Sequence, residues 1–119
     1  MLTPKEVAEF AVKALDAKKA RDIKMLELKS ISTIAYYFVI CTAGSTSQIK
    51  TLSDEVEKVL SEQGETPLHT EGYRQGGWVL VDFGCVVVHL FLKEMRDFYS
   101  LERLWSDAAE CDISGLLTE

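Results

Sequence analysis

The chain has 119 residues, 47% of them hydrophobic and 27% charged, proportions that support one folded domain and exclude a fibrous or disordered chain. Thirteen Lys and Arg stand against nineteen Asp and Glu, a net charge of -6, and such a surface repels phosphate backbones. Little direct contact with nucleic acid is expected, and a basic protein partner fits better.

Cys41, Cys85 and Cys111 are odd in number and far apart, which matches neither a disulfide framework nor a CxxC metal site. No apolar run reaches the roughly 18 to 20 residues that span a bilayer, and the first residues form neither a signal-peptide core nor an Arg-rich transit pattern. The expectation is a cytoplasmic protein with no membrane partner.

Thr3, Pro4 and Glu6 make a capping box with proline at the first helical position, where its missing N–H costs nothing. Val7, Phe10, Ala11, Ala14 and Leu15 then recur at helical spacing and predict an amphipathic helix ending near Ala20. From Ile23 to Lys29, Met25 and Glu27 alternate with Leu26 and Leu28, the pattern of a half-buried strand. Tyr36 to Thr42 is almost wholly apolar and β-branched or aromatic, so it reads as a central strand covered on both faces. Ala43 and Gly44 break it. Ser45 with Gln48 makes a second capping box ahead of Ile49, Leu52, Val56, Val59 and Leu60, and Gly64 supplies the C-terminal stop of that helix.

Pro67 to Glu71 reads as an edge strand, because its proline cannot donate to a ladder. Gly72, Gly76 and Gly77 mark the next loop. Trp78 to Phe83 and Val86 to Leu92 are β-rich runs separated only by Gly84 and Cys85, the spacing of a hairpin. That loop places Phe83 opposite Val86, Asp82 opposite Val87, Leu80 opposite His89 and Trp78 opposite Phe91. One face then carries Val79, Val81, Phe83, Val86, Val88 and Leu90 and should meet the helices. The other carries Trp78, Leu80, Asp82, Val87, His89 and Phe91, large apolar groups with a carboxylate and an imidazole, which is the composition of a recognition surface. Phe98, Leu101, Leu104 and Trp105 suggest a last short helix, and Asp112 onward a tail. The whole is one α/β domain over residues 1–119, with about five strands flanked by helices and a tail from about residue 112.

Few residues invite chemistry. Gly44 and Ser45 precede a helix whose free N–H groups would suit an anion, but nucleotidyl transfer needs carboxylates set together on a strand for Mg²⁺. No Asp-x-Asp follows Ser45, so a helix cap is favoured over a phosphate site. His69 and His89 show no HxxxH or HExxH spacing. His89, with Asp82 on the same face but no nucleophile beside it, reads as a hydrogen-bonded structural residue. Cys41 reads as inert packing and Cys85 as a turn residue without a base. No catalytic, cofactor or metal site is expected. Glu71 and Gly72 fit a solvent-facing carboxylate and a turn, while Trp78 fits core burial and an exposed anchor equally well.

The stretches YFVICTAGSTSQ, EG, WVLVDFG, VVVHLF and R-DFYSLERLW, in that order from the first helix to Trp105, resemble the Iojap-related family, the ribosomal silencing factors. The resemblance implies a compact α/β domain with a mixed sheet and nucleotidyltransferase-like topology but no such activity. It further implies binding to the large ribosomal subunit through a basic ribosomal protein at the intersubunit face, which blocks subunit joining and represses translation. Relatives in organelles are ascribed a role in ribosome assembly. The motif residues are Tyr37, Phe38, Ser45, Gln48, Glu71, Gly72, Trp78, Asp82, His89, Phe91, Arg96, Tyr99, Glu102 and Trp105. Tyr36 stands where the family usually has aspartate, Ala43 where it usually has glycine, and Cys85 where an acidic residue is common.

Both lines converge on one face. Trp78, Leu80, Asp82, His89 and Phe91, rimmed by Glu71, Arg96 and Tyr99, are expected to contact the basic ribosomal protein. Two other classes are weighed beside it. One is a homodimer formed through an exposed sheet edge or the aromatic face, serving ribosome assembly. The other is a nucleotidyltransferase-related enzyme or hydrolase using Ser45 and an acidic residue.

Overall fold

The computed structural model describes residues 2–27, 36–72, 77–93, 109–111 and 113–117. The chain opens with α1 (Pro4–Ala17), capped as expected: the Glu6 N–H donates to the Thr3 hydroxyl, and the Glu6 carboxylate accepts from the Thr3 N–H at 2.9 Å. That backbone donor holds the exposed Glu6 carboxyl below its ordinary pKa, with the Thr3 hydroxyl adding to the effect. Val7, Ala8, Ala11, Val12, Ala14 and Leu15 are its buried stripe.

The helix stops three residues earlier than its periodicity suggests. Lys19 takes φ +65, its N–H donates to the Asp16 carbonyl, and the Ala20 N–H reaches back to the Leu15 carbonyl. This closure is normally built on glycine. Lys19→Gly is therefore expected to stabilise the protein by about 0.5–1 kcal/mol in urea denaturation. An unchanged or lowered midpoint would show that the left-handed lysine is under no strain.

Strand β1 (Arg21–Glu27) begins two residues before the expected start, because its antiparallel pairing with β2 (Tyr37–Ala43) survives an irregularity between Arg21 and Lys24, where Asp22 has φ +49. Met25 and Leu26 are both buried, in clusters on opposite faces of the sheet. β1 is thus covered on both sides there rather than half-buried. β2 is central, with Val39 and Ile40 fully buried on opposite faces. Helix α2 (Thr46–Glu62) follows and ends as expected at Gly64, φ +86, with the Glu65 N–H bonded to the Leu60 carbonyl.

Strands β3 (His69–Glu71), β4 (Trp78–Asp82) and β5 (Val86–Leu92) come next, and β6 (Ala109–Glu110) adds two residues. The order is β3-β4-β5-β2-β1-β6, with β2 and β5 parallel and every other pair antiparallel, a mixed sheet. The hairpin register is the one expected, from Trp78 opposite Phe91 to Asp82 opposite Val87. Gly84 occupies the first loop position at φ +87, the requirement of a type II′ turn. The Phe83 N–H donates to the Val86 carbonyl, and the Asp82 carboxylate takes the Gly84 N–H at 2.7 Å.

One apolar cluster joins α1 and α2 to Val39, Cys41, Val79, Val81, Phe83, Val86, Val88 and Leu90. The helices thus cover one face of the sheet, as the alternation predicts. Ile113 is buried in the same cluster, and Leu116 and Leu117 pack on it around a 3₁₀ turn at Ser114–Leu116. Part of the expected tail therefore belongs to the core. The expected last helix, with Phe98, Leu101, Leu104 and Trp105, lies outside the described residues. No described helix is long and apolar enough to cross a membrane.

Candidate functional site

The face of the sheet turned away from α1 and α2 is a grid whose rows follow from strand register, since directly paired residues share a face. One row runs His69, Asp82, Val87, Phe38, Leu26; the next runs Glu71, Leu80, His89, Ile40, Lys24. A third runs Trp78, Phe91, Thr42. The structure thus places Glu71, Trp78, Leu80, Asp82, His89 and Phe91 on one continuous patch. Arg96 and Tyr99 lie outside the described residues.

Depth divides the patch. Phe91 is fully buried and His89 only 4% exposed, so these two lie beneath the surface rather than on it. Trp78, Leu80 and Asp82 are half-buried and Glu71 is exposed. The Trp78 indole stacks on Phe91 with centroids 5.0 Å apart, and Phe38 meets the His89 ring edge-on at 4.6 Å. The Trp78 Nε1–H donates to His89 Nδ1 at 3.2 Å. His89 Nε2 is buried and has no hydrogen-bond partner among the described residues. Burial pushes the imidazole down to about 4, against an upward pull from Asp82, so the ring is neutral at pH 7 and carries its proton on Nε2.

The Asp82 carboxylate is occupied elsewhere. Besides closing the hairpin turn, it lies 3.7 Å from His69, whose other ring nitrogen is 3.7 Å from Glu71. The imidazole paired with Asp82 is therefore His69 on the edge strand, which the sequence reading left without a role. The pairing arises from the β3–β4 register, which sets His69 opposite Asp82. Leu68, 72% exposed, was also missed. It precedes β3 and gives its N–H to the Asp82 carbonyl at 2.7 Å.

At the opposite end of β2, Arg21, Asp22, Thr42, Ala43, Gly44, Ser45, Leu92 and Lys93 line a hollow at the start of α2. Ser45 caps the helix by accepting the Gln48 N–H at 3.1 Å. The expected reciprocal bond is absent, because the Gln48 side chain turns outward: its oxygen accepts the Gly44 N–H and its amide donates to the Lys18 and Lys19 carbonyls. Two donors that a phosphate would seek are thus engaged within the chain, and Gln48 ties the end of α1 to the start of α2. No cluster of three His, Cys, Asp or Glu side chains suited to a metal occurs among the described residues. Cys41 is buried, and burial pushes the Cys85 thiol above its ordinary pKa.

The family model described as "Ribosomal silencing factor during starvation" matches residues 2–119. The Ribosomal silencing factor RsfS of Halalkalibacterium halodurans is 42% identical over 98% of this chain and 100% of its own length. A mouse relative, "Mitochondrial assembly of ribosomal large subunit protein 1", is 32% identical over 82% of this chain and 44% of its own length. A crystal structure of a Chromobacterium violaceum protein superposes with a TM-score of 0.86 at 35% identity, covering 88% of each chain. With the family model spanning all but the first residue, the chain belongs to the ribosomal silencing factor family.

Proposed function

We propose that the protein is a non-catalytic, cytoplasmic translational repressor that binds a basic protein of the large ribosomal subunit through the residues that reach the surface along β3 and β4, and so blocks joining to the small subunit. The observation that carries this is the patch itself. Half-buried Trp78 and Leu80 lie with the carboxylates of Asp82 and Glu71 on the β3–β4 side of the face turned away from α1 and α2. An aromatic anchor flanked by negative charge suits a cationic protein surface, whereas a net charge of -6 disfavours rRNA. Arg96 and Tyr99, carried over from the family motif, complete the proposed rim.

Trp78→Ala should weaken binding to isolated large subunits by about 30-fold, roughly 2 kcal/mol, because such anchors hold a large share of interface energy. Cosedimentation with large subunits, small subunits and the joined particle measures this directly. Unmodified protein should sediment with free large subunits and deplete joined ribosomes. A folded Trp78→Ala variant that binds normally would sink the assignment of this face.

A further inference from the structure

We infer that His89 is the positioning residue for Trp78: its Nδ1 holds the indole N–H and sets the ring in the orientation a partner meets. This rests on the docking face proposed above, and it moves His89 from contact to support. The register shows the geometry. Leu80, not Trp78, is the direct partner of His89, so the indole reaches along the face from its own row to the next to make the 3.2 Å bond. Stacking on Phe91 fixes the plane of the ring and the bond to His89 fixes its heading. His89 is itself wedged by the edge-on Phe38 ring and lies 9° from parallel with Phe91.

Packing alone does not explain an imidazole here. Val87 and Phe91, the neighbours of His89 on the same face of β5, are apolar. Leucine or phenylalanine would fill the row without burying an Nε2–H that has no acceptor among the described residues. What histidine supplies that they lack is a lone pair directed at Trp78. A half-buried indole without that acceptor samples several rotamers, and a partner must then order it on binding.

The bond is testable in the unmodified, ¹⁵N-labelled protein as a through-hydrogen-bond nitrogen–nitrogen coupling between Trp78 Nε1 and His89 Nδ1. Its absence would overturn the inference. Two variants test the consequence against isolated large subunits. His89→Asn sets an amide oxygen near the Nδ1 position, whereas His89→Leu fills the space without an acceptor. The asparagine variant should bind within about 3-fold of the parent, and the leucine variant about 10-fold more weakly although its fold is retained. Weak binding by Trp78→Ala together with normal binding by His89→Leu would overturn the inference alone. Normal binding by Trp78→Ala would overturn the docking face and the inference with it.

Discussion

Gly72→Ala should destabilise the protein by about 3 kcal/mol, whereas Gly64→Ala should cost about 1 kcal/mol. Both glycines have φ near the same positive value, +80 and +86, so both alanines carry the same left-handed strain. Their surroundings differ. Around Gly64 a new Cβ meets nothing within 4 Å, while at Gly72 it would overlap the Trp78 carbonyl oxygen and come within 3.2 Å of its carbonyl carbon. That obstacle is backbone and cannot swing aside, so relief requires β3 to separate from β4. Separation undoes the pairing of Glu71 with Leu80 and of His69 with Asp82, the acidic margin of the docking face. Urea denaturation of the two variants, run in parallel, isolates the overlap from the strain. Equal losses would show that the strands yield at no cost, and intact ribosome binding by Gly72→Ala would show that the margin is unnecessary.

Acid should destabilise the fold through His89 well before most carboxylates titrate. The folded imidazole has a pKa of about 4 against 6.5 for the ordinary ring. Above pH 6.5 the ring is neutral whether the chain is folded or not, and it contributes no pH dependence. As pH falls from 6.5 towards 4, the unfolded chain takes up a proton that the folded one refuses, so stability is lost across that window. The loss reaches about 2 kcal/mol by pH 5 and about 3 kcal/mol below pH 4. Asp82 opposes the shift and keeps it from being larger. Denaturation midpoints at pH 7.5 and pH 5 should differ strongly in the parent and much less in His89→Leu. Equal pH slopes in the two proteins would mean that His89 is not the group responsible.

The hairpin was legible because two independent signals agreed. Strict alternation from Trp78 to Phe83 assigned the faces, and a two-residue Gly84–Cys85 loop allowed only one register. The cap of α1 and the glycine stop of α2 were equally readable, since each rests on contacts within a few residues. Three features escaped, one because lysine stands where glycine is usual and two because the partners lie elsewhere in the chain. Lys19 closes α1 in a conformation normally given to glycine, so no sequence mark announces it. Gln48 abandons the local capping box for carbonyls about thirty residues away. His69 meets Asp82 only through the β3–β4 register, which the three residues of β3 scarcely specify. At the candidate site, residue identity and face were legible, whereas depth was not. That Phe91 and His89 are buried while Trp78 beside them is only half-buried follows from how the sheet packs, which alternation alone does not encode.

The one parallel pairing among the described strands, β2 with β5, also bears on how the chain folds. Tyr37 to Ala43 can pair early with β1, but its other edge waits for Val86 to Leu92, with α2, β3 and β4 lying between. During synthesis this largely apolar strand therefore leaves the ribosome with one row of backbone donors and acceptors unpaired, and it holds them so until the hairpin is made. Contacts of such long sequence separation close slowly. The exposed β2 edge is in that interval the segment most prone to pairing with another chain. A change that delays the β4–β5 turn, such as one at Gly84, would accordingly lower soluble yield more than it lowers the stability of the finished molecule.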